Sequence, residues 1–138
     1  LYMSIENIRF DQKINFSINR NDVNIASIKV PALILQPFIE NALWHGLMLR
    51  EGEKTITIEV SQENNSTKLS ITDNGIGRKK AQENVAKKSY KRESLGLQFT
   101  NERISHFNQK NHSNYQFTFI DLHDENNNAV GTRVEFVL

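Results

Sequence analysis

Apolar and polar residues alternate with a period of two in five stretches of the chain. They are Lys13 to Asn19 (KINFSIN), Thr55 to Val60 (TITIEV), Lys68 to Thr72 (KLSIT), Tyr115 to Ile120 (YQFTFI) and Thr132 to Val137 (TRVEFV). That period predicts half-buried β-strands. The second and third are joined by the polar loop Gln62 to Thr67 and read as a hairpin. The last two flank the loop Asp124 to Ala129, and Asn19-Arg20-Asn21-Asp22 closes the first strand as a turn. Helical spacing appears elsewhere. Leu1, Ile5 and Ile8 share a helical face in residues 1–10. Residues 31–47 (PALILQPFIENALWHGL) are the longest apolar-rich stretch. There Pro31 suits a first helical position, Pro37 threatens a kink and Gly46 offers a stop. Leu97 to Phe107 reads as a further helix, and residues 78–94, polar and basic, as a segment of low order.

Hairpins mixed with helices predict an α+β two-layer sandwich: a mixed, mostly antiparallel sheet with helices on one face. A length of 138 residues suits one domain. Net charge is +1, which argues against a nucleic-acid partner. There is no cysteine, so disulfides, thiolate metal sites and cysteine nucleophiles are excluded. No apolar run approaches the roughly 20 residues that span a bilayer. Neither a signal peptide nor an initiator methionine opens the chain, which is expected to be part of a longer protein.

Three places could carry chemistry. Asp73-Asn74-Gly75-Ile76-Gly77 puts a carboxylate at a strand end, followed by two glycines that permit close backbone approach to a ligand. Such a carboxylate can accept a hydrogen bond from an exocyclic amine such as adenine N6. Asn-Gly is equally a turn signal, and both readings stand on this segment alone. On the second helix, Ile34, Phe38, Asn41 and His45 fall along one stripe. Asn41 offers a carboxamide oxygen suited to Mg²⁺, which takes one or two protein ligands beside phosphates and water. Glu40 lies about 100° around the helix, where it could polarise water or hold a neighbouring backbone group. Glu40, Asn41 and His45 are the catalytic candidates. Last, Ser94-Leu95-Gly96-Leu97 precedes a helix, and a helix N-terminus with a pliable backbone favours phosphate. Before it, Arg78 to Glu93 holds seven basic residues and two acidic ones, as either a solvated loop or a lid over a polyphosphate.

Taken in order, these features resemble the N, G1 and G2 boxes of the Bergerat-type ATPase superfamily shared by gyrase B, MutL and histidine kinases. Gln36 to Gly46 (QPFIENALWHG) looks like the N box of LytS/YehU-type sensor kinases, and Ser94 to Ile104 like their G2 region. Gly131-Thr132 resembles the pair that closes the adenine pocket. Residues 1–10 resemble the end of the family's dimerisation helix, leaving 11–138 as the ATP-binding catalytic domain.

The resemblance implies ATP and Mg²⁺ as ligands. Asn41 would ligate Mg²⁺. Asp73 would bind adenine N6, directly and through water shared with Thr132. Gly75 and Gly77 would let the backbone wrap the nucleotide, and Ser94, Leu95, Gly96 and Leu97 would approach the phosphates. The γ-phosphoryl would pass to a histidine on dimerisation helices outside this sequence, then to a response regulator receiver domain. The parent would be a homodimer, membrane-anchored with this domain in the cytoplasm. Trp44 stands where many members carry lysine, Ser94 where the G2 box has glycine, Phe99 where asparagine is common, and Pro37 where related ATPases place a general base. His45, His106, His112 and His123 lie in no phosphoacceptor helix. The alternatives are a nucleotide-binding module without phosphoryl transfer and a serine-directed kinase of the same superfamily.

Overall fold

The computed structural model describes residues 14–31, 33–84 and 87–138, with the side chains of residues 87–95 outside that description. The expected helix of residues 1–10 therefore lies outside the described residues. Five strands form one sheet in the order β1-β2-β3-β5-β4. They are β1 (Ile14–Asn19), β2 (Lys54–Glu63), β3 (Ser66–Asp73), β4 (Gln116–His123) and β5 (Ala129–Val137). β1 runs parallel to β2, and the other pairings are antiparallel, which gives the mixed sheet expected from the alternation. The β2–β3 turn is tighter than expected: Glu63 pairs with Ser66, and only Asn64 and Asn65 bridge them, at φ 49° and 65°. Two positive φ values suit the right-handed strand twist, and asparagine tolerates them better than most residues.

The register sorts side chains by face, because directly opposed residues of antiparallel strands point the same way. Leu69, Phe136 and Phe117 form one row on the helix side. Ile71, Val134 and Phe119 form the next, and Asp73, Thr132 and Asp121 a third. The first two rows are floor to the core. Phe38 descends from α1 (Gln36–Asn41) and meets Phe117 and Phe136 edge-on, with centroids 5.0 and 5.1 Å away. Ile34, Leu43, Leu47, Ile56, Ile58 and Ile104 complete this core.

The helices depart from the sequence reading in three ways. The stretch 31–47 is not one helix from Pro31. α1 starts at Gln36, with Pro37 in its first turn, where a missing N–H costs no hydrogen bond. It continues through Ala42–Leu47 as a π-helical turn, with the Met48 N–H on the Leu43 carbonyl. Gly46 lies within that turn and does not end it. Residues 78–94 are not a loop along their described length. α2 (Arg78–Asn84) covers the first part, and α3 (Lys87–Asn111) takes in the rest together with the helix expected from Leu97. Between Gly77 and Gly96 there is no proline or glycine, and lysine, arginine, alanine and glutamine favour helix. Gly96 consequently lies inside α3 and not ahead of a helix N-terminus. One glycine costs a helix only about 1 kcal/mol, which 25 residues of surrounding helix absorb.

Candidate nucleotide site

α1 with its π turn, the β3 end, α2, α3 and strands β4 and β5 surround a cavity of about 120 Å³. Phe38, Ala42, Ala81, Leu97, Phe119 and Val134 give it apolar walls. Asn41, His45, Asp73 and Thr132 supply polar atoms, and Gly46, Gly77, Arg78 and Gln82 complete the lining. A largely apolar slot with a few convergent polar groups suits a flat heterocycle.

Asp73 is the pivot. Its residue is 7% exposed, and its carboxylate Oδ1 accepts the Gly75 N–H at 2.8 Å. Burial pushes the carboxyl up to about 6, opposed by hydrogen bonds from the backbone of Gly75 and Thr132. A carboxylate offers about four acceptor sites, and two backbone donors leave room for a ligand's donor. Burying an acid is costly, and strongly perturbed acids in a cleft mark functional sites more often than other surface acids do.

The glycines explain how the backbone closes around this acid. A Cβ at Gly46 would lie 2.9 Å from Asp73 Oδ1. A Cβ at Gly75 would lie 2.4 Å from the Gly46 backbone, and one at Gly131 would lie 2.0 Å from the Asp73 carbonyl oxygen. The Ile76 N–H reaches the Gly46 carbonyl at 3.1 Å. The Gly75 segment therefore packs on the π turn itself, with no side chain between them. Gly77 takes φ +85°, a left-handed conformation in which a side chain is strained, and opens α2 through the Ala81 N–H on its carbonyl at 3.1 Å. Asn74 does not face the cavity. Its Oδ1 accepts the Thr55 N–H at 2.8 Å and its Nδ2 donates to the Glu53 carbonyl at 3.0 Å, extending the β2–β3 ladder.

Of the expected site residues, Asn41, His45, Asp73, Gly77, Leu97 and Thr132 meet at this cavity. Gly75 supports Asp73 from behind. Glu40 is on the same helix but is not among the lining residues, and its Oε1 accepts from Gln36 Nε2 at 2.8 Å. Gly96 lies one turn from Thr100, whose Oγ1 donates to the Gly96 carbonyl at 2.9 Å, and among the described residues no atom beyond its own helix backbone lies within 4 Å of where its Cβ would be. The expectations for Ser94 and Leu95 fall on side chains outside the description. Sequence reasoning missed three contributors. Gly46 was read as a helix stop. Arg78 was counted as one lid cation among seven, yet it pairs with Asp121 at 2.7 Å and lies over Phe119. The signal for Asp121 was present: it follows Phe117 and Phe119 at period two, an acid interrupting an inward face.

A family model described as "Histidine kinase-, DNA gyrase B-, and HSP90-like ATPase" matches residues 28–138. The sensor protein LytS of Oceanobacillus iheyensis is 34% identical over 76 residues, 55% of this chain and 13% of that protein. The sensor histidine kinase YpdA of Escherichia coli is 32% identical over 77 residues, with the same two coverages of 55% and 13%. The uncharacterized protein YwpD of Bacillus subtilis is 32% identical over 110 residues, 77% of this chain and 38% of that protein. The chain thus spans well under half the length of these relatives. Among solved structures, the histidine kinase domain of the Erythrobacter litoralis EL346 blue-light activated histidine kinase superposes with a TM-score of 0.62. That match is at 15% identity and covers 99% of this chain and 59% of that one. The mycobacterial sensor histidine kinase MprB gives 0.56 at 16% identity, covering 99% and 89%. These likenesses establish a shared fold. Every residue that lines the cavity falls inside the matched stretch 28–138, and the chain belongs to the family of histidine kinase-, DNA gyrase B- and HSP90-like ATPases.

Proposed function

We propose that this chain is the ATP-binding catalytic domain of a two-component sensor histidine kinase. The observation that carries the reading is the buried Asp73 carboxylate, held by backbone N–H donors of Gly75 and Thr132 and lining a largely apolar slot. Asp73 accepts the adenine N6 amine. Thr132, its cross-strand partner, shares a water with it. Phe38, Ala42, Leu97 and Val134 hold the base by apolar contact and exclude water.

Asn41 fits Mg²⁺ because it brings a neutral carboxamide oxygen to a cavity whose remaining ligands would come from phosphates and water. When bound, the ion supplies neutralisation of phosphate charge. Among the described residues there is no group of three or more histidine, aspartate or glutamate side chains that could hold the ion by itself. Glu40 and His45 flank Asn41 in sequence and are proposed to order the phosphate end. Gly96 and its neighbours Ser94 and Leu95 are proposed to lie along the phosphates. Phosphoryl transfer then rests on positioning and charge stabilisation.

The acceptor would be a histidine on dimerisation helices of a homodimeric parent, with a response regulator receiver domain downstream. No helix among the described residues is long and apolar enough to cross a membrane. The relatives' names, LytS and YpdA sensor kinases, support this assignment.

Joining residues 1–138 to the native upstream helices and supplying labelled ATP with Mg²⁺ tests the transfer. Acid-labile, base-stable phosphohistidine is expected. Acid-stable phosphoserine would assign a serine-directed kinase. No label with intact ATP binding would leave a nucleotide-binding module without transfer.

A further inference from the structure

The row Asp73–Thr132–Asp121 carries a second carboxylate on the helix side of the sheet, and nucleotide binding as proposed leaves it unused. Arg78 engages it with both prongs of its fork. Nε donates to Asp121 Oδ1 at 2.7 Å and Nη2 to Oδ2 at 2.9 Å. The guanidinium carbon lies 4.7 Å from the centroid of Phe119, two residues back along β4. The hydrogen bond from Arg78 holds the Asp121 carboxyl below the ordinary carboxylate range, so the pair stays ionised at neutral pH.

The position of this pair is what gives it meaning. Arg78 is the first residue of α2, and Ala81 and Gln82 of that helix continue the cavity wall. Phe119, which also lines the cavity, belongs to β4, an edge strand. Arg78 and Asp121 therefore tie α2 to β4 beside two residues that line the cavity, Arg78 itself and Phe119. We propose that they form a clasp that retains bound nucleotide. They are positioning residues: they hold α2 against β4 and keep that side of the slot closed while the base occupies it. The inference rests on the nucleotide-binding reading of the same cavity.

A clasp of this kind acts on release more than on folding. Both side chains are about two-fifths exposed (41% and 45%), and exposed ion pairs add little to global stability. Opening one wall, by contrast, shortens residence directly, since changes at a binding site act mostly on dissociation.

The test is stopped-flow release of a fluorescent ATP analogue with Mg²⁺ from residues 1–138. Wild type is compared with Arg78→Ala, Asp121→Ala, the double variant and Arg78→Lys. Each alanine variant is expected to release roughly five- to tenfold faster, the double variant no faster than either single one. Association should stay within about threefold and the melting midpoint near wild type. Arg78→Lys keeps the charge and stem but loses the fork, so it should also speed release, and it keeps the test open should an alanine variant fail to fold. Unchanged release in folded variants, or effects that add in the double variant, would overturn the clasp. Absence of any binding by wild type would instead overturn the nucleotide reading beneath it.

Discussion

Asp73 is costly to the folded chain and central to its proposed work. Its carboxyl titrates near 6 when folded, against 3.8 in the unfolded reference, and burial is the main cause. The folded state therefore binds the proton more tightly. Its contribution to stability is fullest below pH 3.8 and is lost as pH rises towards 6. At neutral pH the cost is on the order of 2–3 kcal/mol. Asp73→Asn keeps an acceptor for the Gly75 N–H and removes the charge, so it should stabilise the ligand-free domain. The gap between variant and wild type in urea midpoints should widen from pH 4 to pH 7 and then level off. A gap independent of pH would mean that the acid is not buried as described. Nucleotide affinity should move oppositely, weakening in wild type as pH falls through about 6, because a protonated acid accepts the N6 amine poorly. Asn74 is its foil. Asn74→Ala breaks one hydrogen bond to β2 and one to Glu53 just before it, and should cost about 1–2 kcal/mol in denaturant unfolding, with ATP affinity of the folded protein little changed.

Among the elements, the π turn and the β3 end explain why glycines gather here. Gly75 and Gly131 each stand where a Cβ would penetrate backbone. Alanine at either should destabilise by about 1–3 kcal/mol or more, read as a fall in melting midpoint. Gly46→Ala presses on Asp73 Oδ1 and should weaken nucleotide binding more than it weakens the fold. Gly96→Ala should instead strengthen the fold. No described atom lies within 4 Å of its Cβ and the site is helical, so stability should rise by about 0.5–1 kcal/mol. A loss of ATP affinity in that stabilised variant would tie Gly96 to the phosphates, and unchanged affinity would remove it from the site.

The same contrast shows what the sequence could disclose. Strands were legible because alternation is local: β1 and the β2–β3 hairpin lie within a few residues of their expected bounds. Helix ends were not, because proline and glycine are ambiguous punctuation. Pro37 sits in the first turn of α1, Gly46 continues its π turn and Gly96 sits within α3. Gly46 is set by its packing against Asp73 and Gly75, which no window of sequence contains, while Gly96 is carried by the helix-favouring residues before it.

Across the whole molecule, the site depends on pairings between distant segments. Asp73 acquires its environment from Gly46, 27 residues earlier, and from Gly131 and Thr132, near the chain's end. Order and spacing of motifs made Asn41, Asp73 and Thr132 legible as a set. The row through Thr132 to Asp121, and so the Arg78 clasp, was not, because only the sheet order places β5 between β3 and β4. The family assignment covers this assembled unit, while the proposed transfer to histidine would require dimerisation helices outside this sequence. The central claim, that the Asp73 slot is a nucleotide site, can be tested on this chain alone. Calorimetric titration of a non-hydrolysable ATP analogue with Mg²⁺ into wild type and Asp73→Asn is the direct measurement. Saturable one-site binding by wild type, lost in an Asp73→Asn variant with a native circular dichroism spectrum, is the predicted result. Equal binding by both proteins, or no heat from wild type at millimolar analogue, would contradict it.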